Sequence, residues 1–375
     1  MHRSGDTSRV PARRQRAMNE LDRYARMAVR HSVDQYAKEG TLLDKAKALF
    51  DDDTVWHQPW VPMDFDLGLA HEHPVYTDVF DDAQRLAWNH LQWGLDYSIV
   101  GKGELQIIVI NGYAVKAFAG VMPSVVDLEE RESFEEIDHY AAFRTVIEGL
   151  QRRYLPHRKA PLYADSPSGV RSERLNRVLR HVIGVMGMAT LGPHFPALFF
   201  LQRGLKTHSF KPFENAIATF EQGPAGIREI SHLHRLDESR HMATSLWIAK
   251  LANDVLETAP FESRTLFKAA IQAAWPRGRM AESRVGYWKK VLDEAPIYQD
   301  IPREERASLF AHVSRNTVAS LTQLHARQVG LTRQANKRLV EECGLPLPLK
   351  RVIVDTLRAD AATAPIVDAV QLPAA

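Results

Sequence analysis

His234, Glu238 and His241 stand four and three residues apart in the stretch HRLDESRH. An α-helix turns about 100° per residue, which puts Glu238 about 40° and His241 about −20° from His234, on one narrow stripe. One carboxylate and two imidazoles aimed at a single point are a metal-binding set, since mixed oxygen and nitrogen donors suit first-row divalent ions. A second stretch, SFEEIDHY, echoes the first: Glu136 and His139 are three apart and share a helix face. Glu135 precedes Glu136 as Asp237 precedes Glu238, so acid-Glu-x-x-His occurs twice, 102 residues apart (238 minus 136). The other Glu-x-x-His, Glu229 to His232, projects at about 220° and 160° from His234, on the back of the same helix. It is expected to be ordinary helix surface.

Helical bundles build dinuclear sites from one glutamate on each of two helices and a Glu-x-x-His on each of two others. Each motif therefore calls for a glutamate one helix upstream, roughly thirty residues away at ~1.5 Å of rise per residue. Glu104 meets that requirement: it lies 32 residues before Glu136 and is the only acid between Asp96 and Asp127. Upstream of Glu238 the window QRGLKTHSF holds no carboxylate. Two candidates remain, Glu214, which is 24 residues back, and His208, which is 30 back. Glu214 is preferred because an oxygen donor there matches the other half-site. The ligand set is then Glu104, Glu136, His139, Glu214, His234, Glu238 and His241, and its hard oxygens and imidazoles suit two iron ions that deliver electrons to O₂. Glu135 and Asp237 are expected behind the ligands, accepting ring N–H bonds from the histidines.

Such a constellation needs long helices, and helical periodicity dominates the chain, from LDRYARMAVRHSVDQYAKEG through DDAQRLAWNHLQWGLDYSIV to RQANKRLVEECG. ELQIIVINGYAVKAFAG (104–120) is β-branched enough for a strand but lacks partner strands, so a buried helix is expected. Ser133 is expected to cap the helix carrying Glu136, with DLEERESFEE (127–136) mostly solvated acids at that helix's N-terminus. Residues 52–82, with their prolines, suit an irregular loop. Within them HEH (71–73) is expected at the surface, and WHQPW (56–60) suits either a lid or packing. Tyr97, Tyr140, Phe143, Phe210 and Phe213 surround the ligands and either line a pocket or fill the core. The reading is an all-α chain: a flexible arm at 1–18, one helical domain at 19–345 with its metal-binding core about 80–250, and a C-terminal extension at 346–375.

Composition narrows the rest. A net charge of +2 argues against nucleic acid or anionic membrane as the main partner. Cys343 is the only cysteine, which excludes an intramolecular disulfide or a multi-thiolate metal site and fits a reducing cytoplasm. No signal peptide is visible, since the first eighteen residues are Arg-rich without an apolar core. The apolar window 181–201 is broken by histidines, prolines and glycines, which favours a buried helix pair over a membrane span.

Taken together, Glu104, Glu136-x-x-His139 and His234-x-x-Asp237-Glu238-x-x-His241 resemble the ferritin-like diiron oxygenases over roughly residues 80–250. The Asp-Glu-Ser-Arg-His run is similar to the second iron motif of bacterial multicomponent monooxygenase hydroxylases. The additional His234 is similar to the extra histidine of the p-aminobenzoate N-oxygenase family. That resemblance implies a ferritin-like helical bundle with extra helices and an O₂-dependent oxidation of an amine to a hydroxylamine, nitroso or nitro product through a peroxo-diiron intermediate. It further implies an external electron donor, a small-molecule amine substrate and a homodimer. The missing glutamate at the expected place on the third helix departs from the family pattern. Hydroxylation or desaturation at carbon, and a non-catalytic iron-binding bundle, are the competing readings.

Overall fold

In the computed structural model, residues 9–63, 66–162, 213–255 and 279–320 are described below. They are mostly helical, with no strand among them. Six α-helices carry the architecture: α1 (Arg9–Glu39), α2 (Leu42–Ala48), α3 (Asp82–Phe118), α4 (Pro123–Tyr154), α5 (Ala225–Val255) and α6 (Arg279–Glu294). Further helical stretches cover 213–218 and 303–320. No helix among the described residues is long and apolar enough to cross a membrane.

The segment 104–120 is helical, as its lack of partner strands requires, but it is no separate element. It continues α3 without a break through Gly101 and Gly103, giving one helix of 37 residues, roughly 55 Å long. A capping box between Asp81 and Gln84 starts it. The expectation of full burial fails on one face, where Leu105 and Val109 are exposed. A turn from Phe118 leads into α4, whose first residue is Pro123, with its φ already set for a helix. α4 therefore begins ten residues before Ser133, which does not cap it but sits inside it, its hydroxyl bonded to the Glu129 carbonyl at 2.8 Å. Nor are the acids of 127–136 mostly solvated: Glu129, Glu132, Glu135 and Glu136 are all buried. The dipole argument for a helix start does not apply to residues inside a helix.

α1 begins at Arg9, so residues 9–18 of the expected loose arm are helical. Its inner stripe, Ala17, Leu21, Ala25, Ala28 and Ser32, is buried. The alanines let it approach α4 and α5 closely, and it packs on both. Gly40, at φ 78°, ends α1 in the left-handed conformation that glycine adopts without a Cβ penalty. α2 then starts under two caps: Thr41 accepts from Asp44 N, and Asp138 of α4 accepts from Leu42 N at 2.7 Å and Leu43 N at 3.1 Å. α6 docks on the first half of α3 through the stacked pair Trp88 and Trp288, with ring centroids 3.7 Å apart, and the buried Arg284–Asp96 ion pair.

The described residues of 52–82 form short helical turns rather than a free loop. Asn89 of α3 pins them, accepting from Trp60 N and Val61 N and donating to Val61 O. Of the two readings of WHQPW, packing holds, because Trp60 is fully buried. His73 bonds Ser308 at the surface, as expected for HEH. Where α4 meets the start of this region, a Cβ on Gly149 would run into the Phe50 ring. Gly149→Ala is therefore expected to destabilise the protein by about 1–3 kcal/mol, the usual cost of overpacking, read as a lower thermal midpoint. Phe210, His208, Gly344, Pro346, Cys343 and the 181–201 window lie outside the described residues.

Candidate metal centre

α3, α4 and α5 bring the motif residues together. Glu104, Glu136, His139, His234, Glu238 and His241 are all buried, as is Glu214 from the stretch 213–218. Two donor groups result. Glu104, His139, His234 and Glu238 place one donor atom each within 4.8 Å of one another, and so do Glu136, Glu238 and His241. Glu238 belongs to both, which is the geometry of two adjacent ion sites sharing a carboxylate. His232 is exposed, and Glu229 pairs with Lys45 at 2.7 Å, so the back-face pair takes no part.

Each histidine turns one nitrogen inward and has the other gripped by an acid. His139 Nδ1 stands 3.5 Å from Glu136 Oε2, while its Nε2 meets Asp237 Oδ2 at 3.0 Å. His241 Nδ1 lies 3.0 Å from Glu136 Oε1 and 3.1 Å from Glu238 Oε1, and its Nε2 meets Glu135 Oε2 at 2.6 Å. The acids before the glutamates therefore work crosswise: Asp237 of α5 holds the histidine of α4, and Glu135 of α4 holds the histidine of α5. His234 is reversed, with Nε2 inward, 3.3 Å from Glu104 Oε1, and Nδ1 bonded to Glu214.

Glu214 thus stands behind His234, on the ring edge opposite the one facing Glu104, and in neither donor group. In this geometry it orients a histidine, in the way Asp237 and Glu135 do, instead of offering the expected oxygen to a metal. The stretch 213–218 ends one short turn before α5, and that close hairpin sets its carboxylate against the first turn of motif residues.

The electrostatics are those of a buried cluster rich in carboxylates. Burial, then Glu136 and Glu238, push the Glu104 carboxyl well above its usual range. Burial and neighbouring His234 disfavour the charged form of His139, but Asp237 and Glu136 outweigh them and raise it to about 9. Burial likewise opposes the His234 charge, and Glu214, Glu238 and Glu136 overcome it, again to about 9. His241 rises despite burial because Glu132 and Glu136 face it. Among the described residues the buried carboxylates Glu104, Glu132, Glu135, Glu136, Glu214, Asp237 and Glu238 crowd around the three histidines, and the buried cation Arg240 pairs with Glu135 and Asp237. Buried charge of one sign is expensive unless paired, and imidazolium protons supply part of the pairing here. Nδ1 of His139 is fully buried and makes no hydrogen bond, as expected of an atom whose partner is an ion. Each of the two donor groups could hold a metal ion.

Sequence reasoning passed over the brace around this cluster. Arg240 Nη2 joins Glu135 Oε2 at 2.8 Å to Asp237 Oδ1 at 2.7 Å, tying the two orienting acids together. α1 adds Ser32, bonded to Glu135, Gln35, bonded to both Asp237 and Arg240, and Tyr36, bonded to Asp237. One signal was available: Ser32 interrupts α1's apolar stripe with a polar residue facing the core. Burial opposes Glu135's charge, but His241 and Arg240 outweigh it and hold its carboxyl down to about 2. Such orienting acids commonly govern metal affinity, so Asp237→Asn is expected to weaken metal binding by about 10–100-fold. Titration of the purified variant with ferrous iron or cobalt checks this.

Two of the aromatic candidates close one side of the centre. Phe143 packs on His234 with centroids 4.9 Å apart, and Tyr97 packs on Phe143 at 4.7 Å; both rings are fully buried. Phe213 meets Tyr97 at 6.0 Å and is partly buried. Compared with known proteins, the chain matches no family model, no curated protein and no solved structure.

Proposed function

We propose that the chain is an O₂-dependent oxygenase that holds two iron ions and oxidises the nitrogen of a small-molecule amine with electrons from an external donor. The observation that carries the reading is Glu238, shared between two buried donor groups whose histidines are each backed by an acid. Ferrous ions held there would supply electrons to O₂, the chemistry to which a mixed carboxylate and imidazole set is suited. The remaining work falls to the chain. Glu104, Glu136 and Glu238 compensate the ionic charge. Asp237, Glu135 and Glu214 fix which nitrogen each histidine presents, and α1 and Arg240 keep those acids from turning. Tyr97 and Phe143 exclude water from one side, which strengthens every charge interaction inside. The resemblance carried by the additional His234 favours nitrogen over carbon as the atom oxidised, a choice that ligand spacing itself does not encode.

Metal analysis of the purified protein, followed by optical spectra after reduction and exposure to O₂, tests the metal assignment. Two irons per chain and a transient visible band are expected. Two redox-silent ions, or none, would overturn the reading. Incubation with a panel of amines and mass spectrometry of the products then decides between nitrogen and carbon oxidation.

A further inference from the structure

Tyr97 is the inner end of a line of aromatic rings that runs from the metal-binding cluster toward solvent. Its ring meets His234 edge-on with centroids 6.4 Å apart. One turn earlier on α3, Trp93 stacks on it at 4.1 Å. Trp60 meets Trp93 at 5.8 Å, and Trp56 meets Trp60 at 5.5 Å. Trp60, Trp93 and Tyr97 are fully buried, whereas Trp56 is only partly so, with the Arg153 guanidinium 5.3 Å from its ring centroid. Core packing alone would accept leucine or phenylalanine at these places. Every position is instead tryptophan or tyrosine, the side chains that give up an electron most readily. Tunnelling falls off exponentially with distance, so several short gaps carry charge faster than one long one.

We propose that Trp56, Trp60, Trp93 and Tyr97 form a relay that drains unspent oxidising equivalents from the metal centre to the surface when no substrate is bound. The proposal rests on the oxygenase reading. In each discharge Trp93 would give one electron, through the Tyr97 ring, to an oxidised ion held by the cluster, leaving Trp93 as a radical cation. Trp93 Nε1 makes no hydrogen bond, so its proton has no acceptor and stays. Tyr97's hydroxyl is hydrogen-bonded to the Ser231 hydroxyl at 2.7 Å, and its ring is the bridge across which the electron passes. Trp60 then reduces Trp93, and Trp56 reduces Trp60. At the surface a one-electron reductant of the thiolate class refills Trp56 and becomes a thiyl radical. One electron enters at Trp56 for each that reaches the centre, and no proton leaves the relay.

Two arms test this. In the first, metal-free protein is exposed to azidyl radical, which attacks accessible indoles, and oxidised residues are mapped by peptide mass spectrometry. Oxidation of the buried Trp60 and Trp93 is expected, with loss of that signal in Trp56→Phe. Oxidation confined to exposed rings would overturn the relay whether or not the protein binds metal. In the second, iron-loaded protein is treated with hydrogen peroxide without substrate. Oxidation at Trp56 is expected in the wild type, lost in Trp93→Phe and shifted to Trp60 and Trp93 in Trp56→Phe. Damage confined to the cluster's own ligands in an iron-loaded wild type would also overturn the relay. Failure to load iron would instead overturn the oxygenase reading, and the first arm would still decide whether charge moves along these rings. Phenylalanine keeps an aromatic ring at each position but leaves a void where the larger indole stood, so circular dichroism of each variant establishes that it folds.

Discussion

Glu238→Ala is expected to empty both metal positions at once and abolish turnover. The expectation follows from its place in both donor groups, where it is the one residue common to Glu104, His139 and His234 on one side and Glu136 and His241 on the other. Glu104→Ala provides the contrast, since Glu104 belongs to a single group and its loss should leave the Glu136, Glu238 and His241 group able to bind. His234→Ala is expected to lower iron content and stop turnover, and His232→Ala on the exposed back face to change neither. Metal-to-protein ratios after equilibrium dialysis read all four variants directly. The stability readout separates a lost ligand from a broken fold. In metal-free protein burial and Glu136 oppose the Glu238 charge, but His241 and His234 outweigh them and hold its carboxyl below its ordinary range. Metal-free Glu238→Ala is therefore expected to melt somewhat below metal-free wild type. The larger difference should appear when metal is added, because an ion that binds the folded state alone raises the wild-type melting point by mass action and should leave that of the variant unmoved. A variant that loses only one ion, or whose melting point rises with metal as the wild type's does, would show that Glu238 is not a shared ligand.

How far the residues themselves announce this centre depends on whether helical geometry suffices. Spacing within one helix put His234, Glu238 and His241 on a single buried stripe and sent Glu229 and His232 to the opposite face, and all five stand there. The length of a helical hairpin singled out Glu104, 32 residues from Glu136, with no help from its neighbours. What depends on side-chain orientation was less legible. Glu214 was expected to offer an oxygen because such a donor matches the other half-site, and spacing carries no information on which nitrogen His234 turns inward. His234 reaches inward with Nε2, and the Glu214 carboxylate meets its Nδ1. The acids of 127–136 were read as helix-end residues because the helix start was placed at Ser133. A proline ten residues earlier begins α4, and that shift turns Glu129 and Glu132, read as surface acids, into buried ones. The contributions of Ser32, Gln35 and Tyr36 arise from packing between helices more than a hundred residues apart, which periodicity within α1 marks only as a polar break in an apolar face.

Metal binding should release protons and tighten as pH rises from about 6.5 to about 9. In the metal-free protein His139 and His234 are held at about 9, above the ordinary value of 6.5, and His241 and Glu104 are raised as well. At neutral pH the nitrogens an ion needs therefore carry protons, and binding must expel them. The sign for folding runs the other way. A histidine whose folded value exceeds its unfolded one stabilises the protein fully below pH 6.5, and that stabilisation disappears as pH climbs through about 9. Metal-free protein is thus expected to lose thermal stability across this window. Metal-loaded protein, in which two ions replace the imidazolium charges, should hold its stability, and the gap between the two melting points should widen with pH. At the acid end Glu135, held down to about 2, contributes stability above its ordinary range near 4.5 and loses it as pH falls toward 2. Calorimetric titration with a divalent ion in buffers of different ionisation enthalpy measures the protons released. An affinity unchanged between pH 6.5 and 9, with no protons released, would mean that the histidines already stand neutral and that the carboxylates are balanced by some other means. In Asp237→Asn the acid behind His139 is neutralised, so that histidine should give up its proton at lower pH. The variant should then release fewer protons at neutral pH even as it binds more weakly, a pairing that loss of packing alone does not produce.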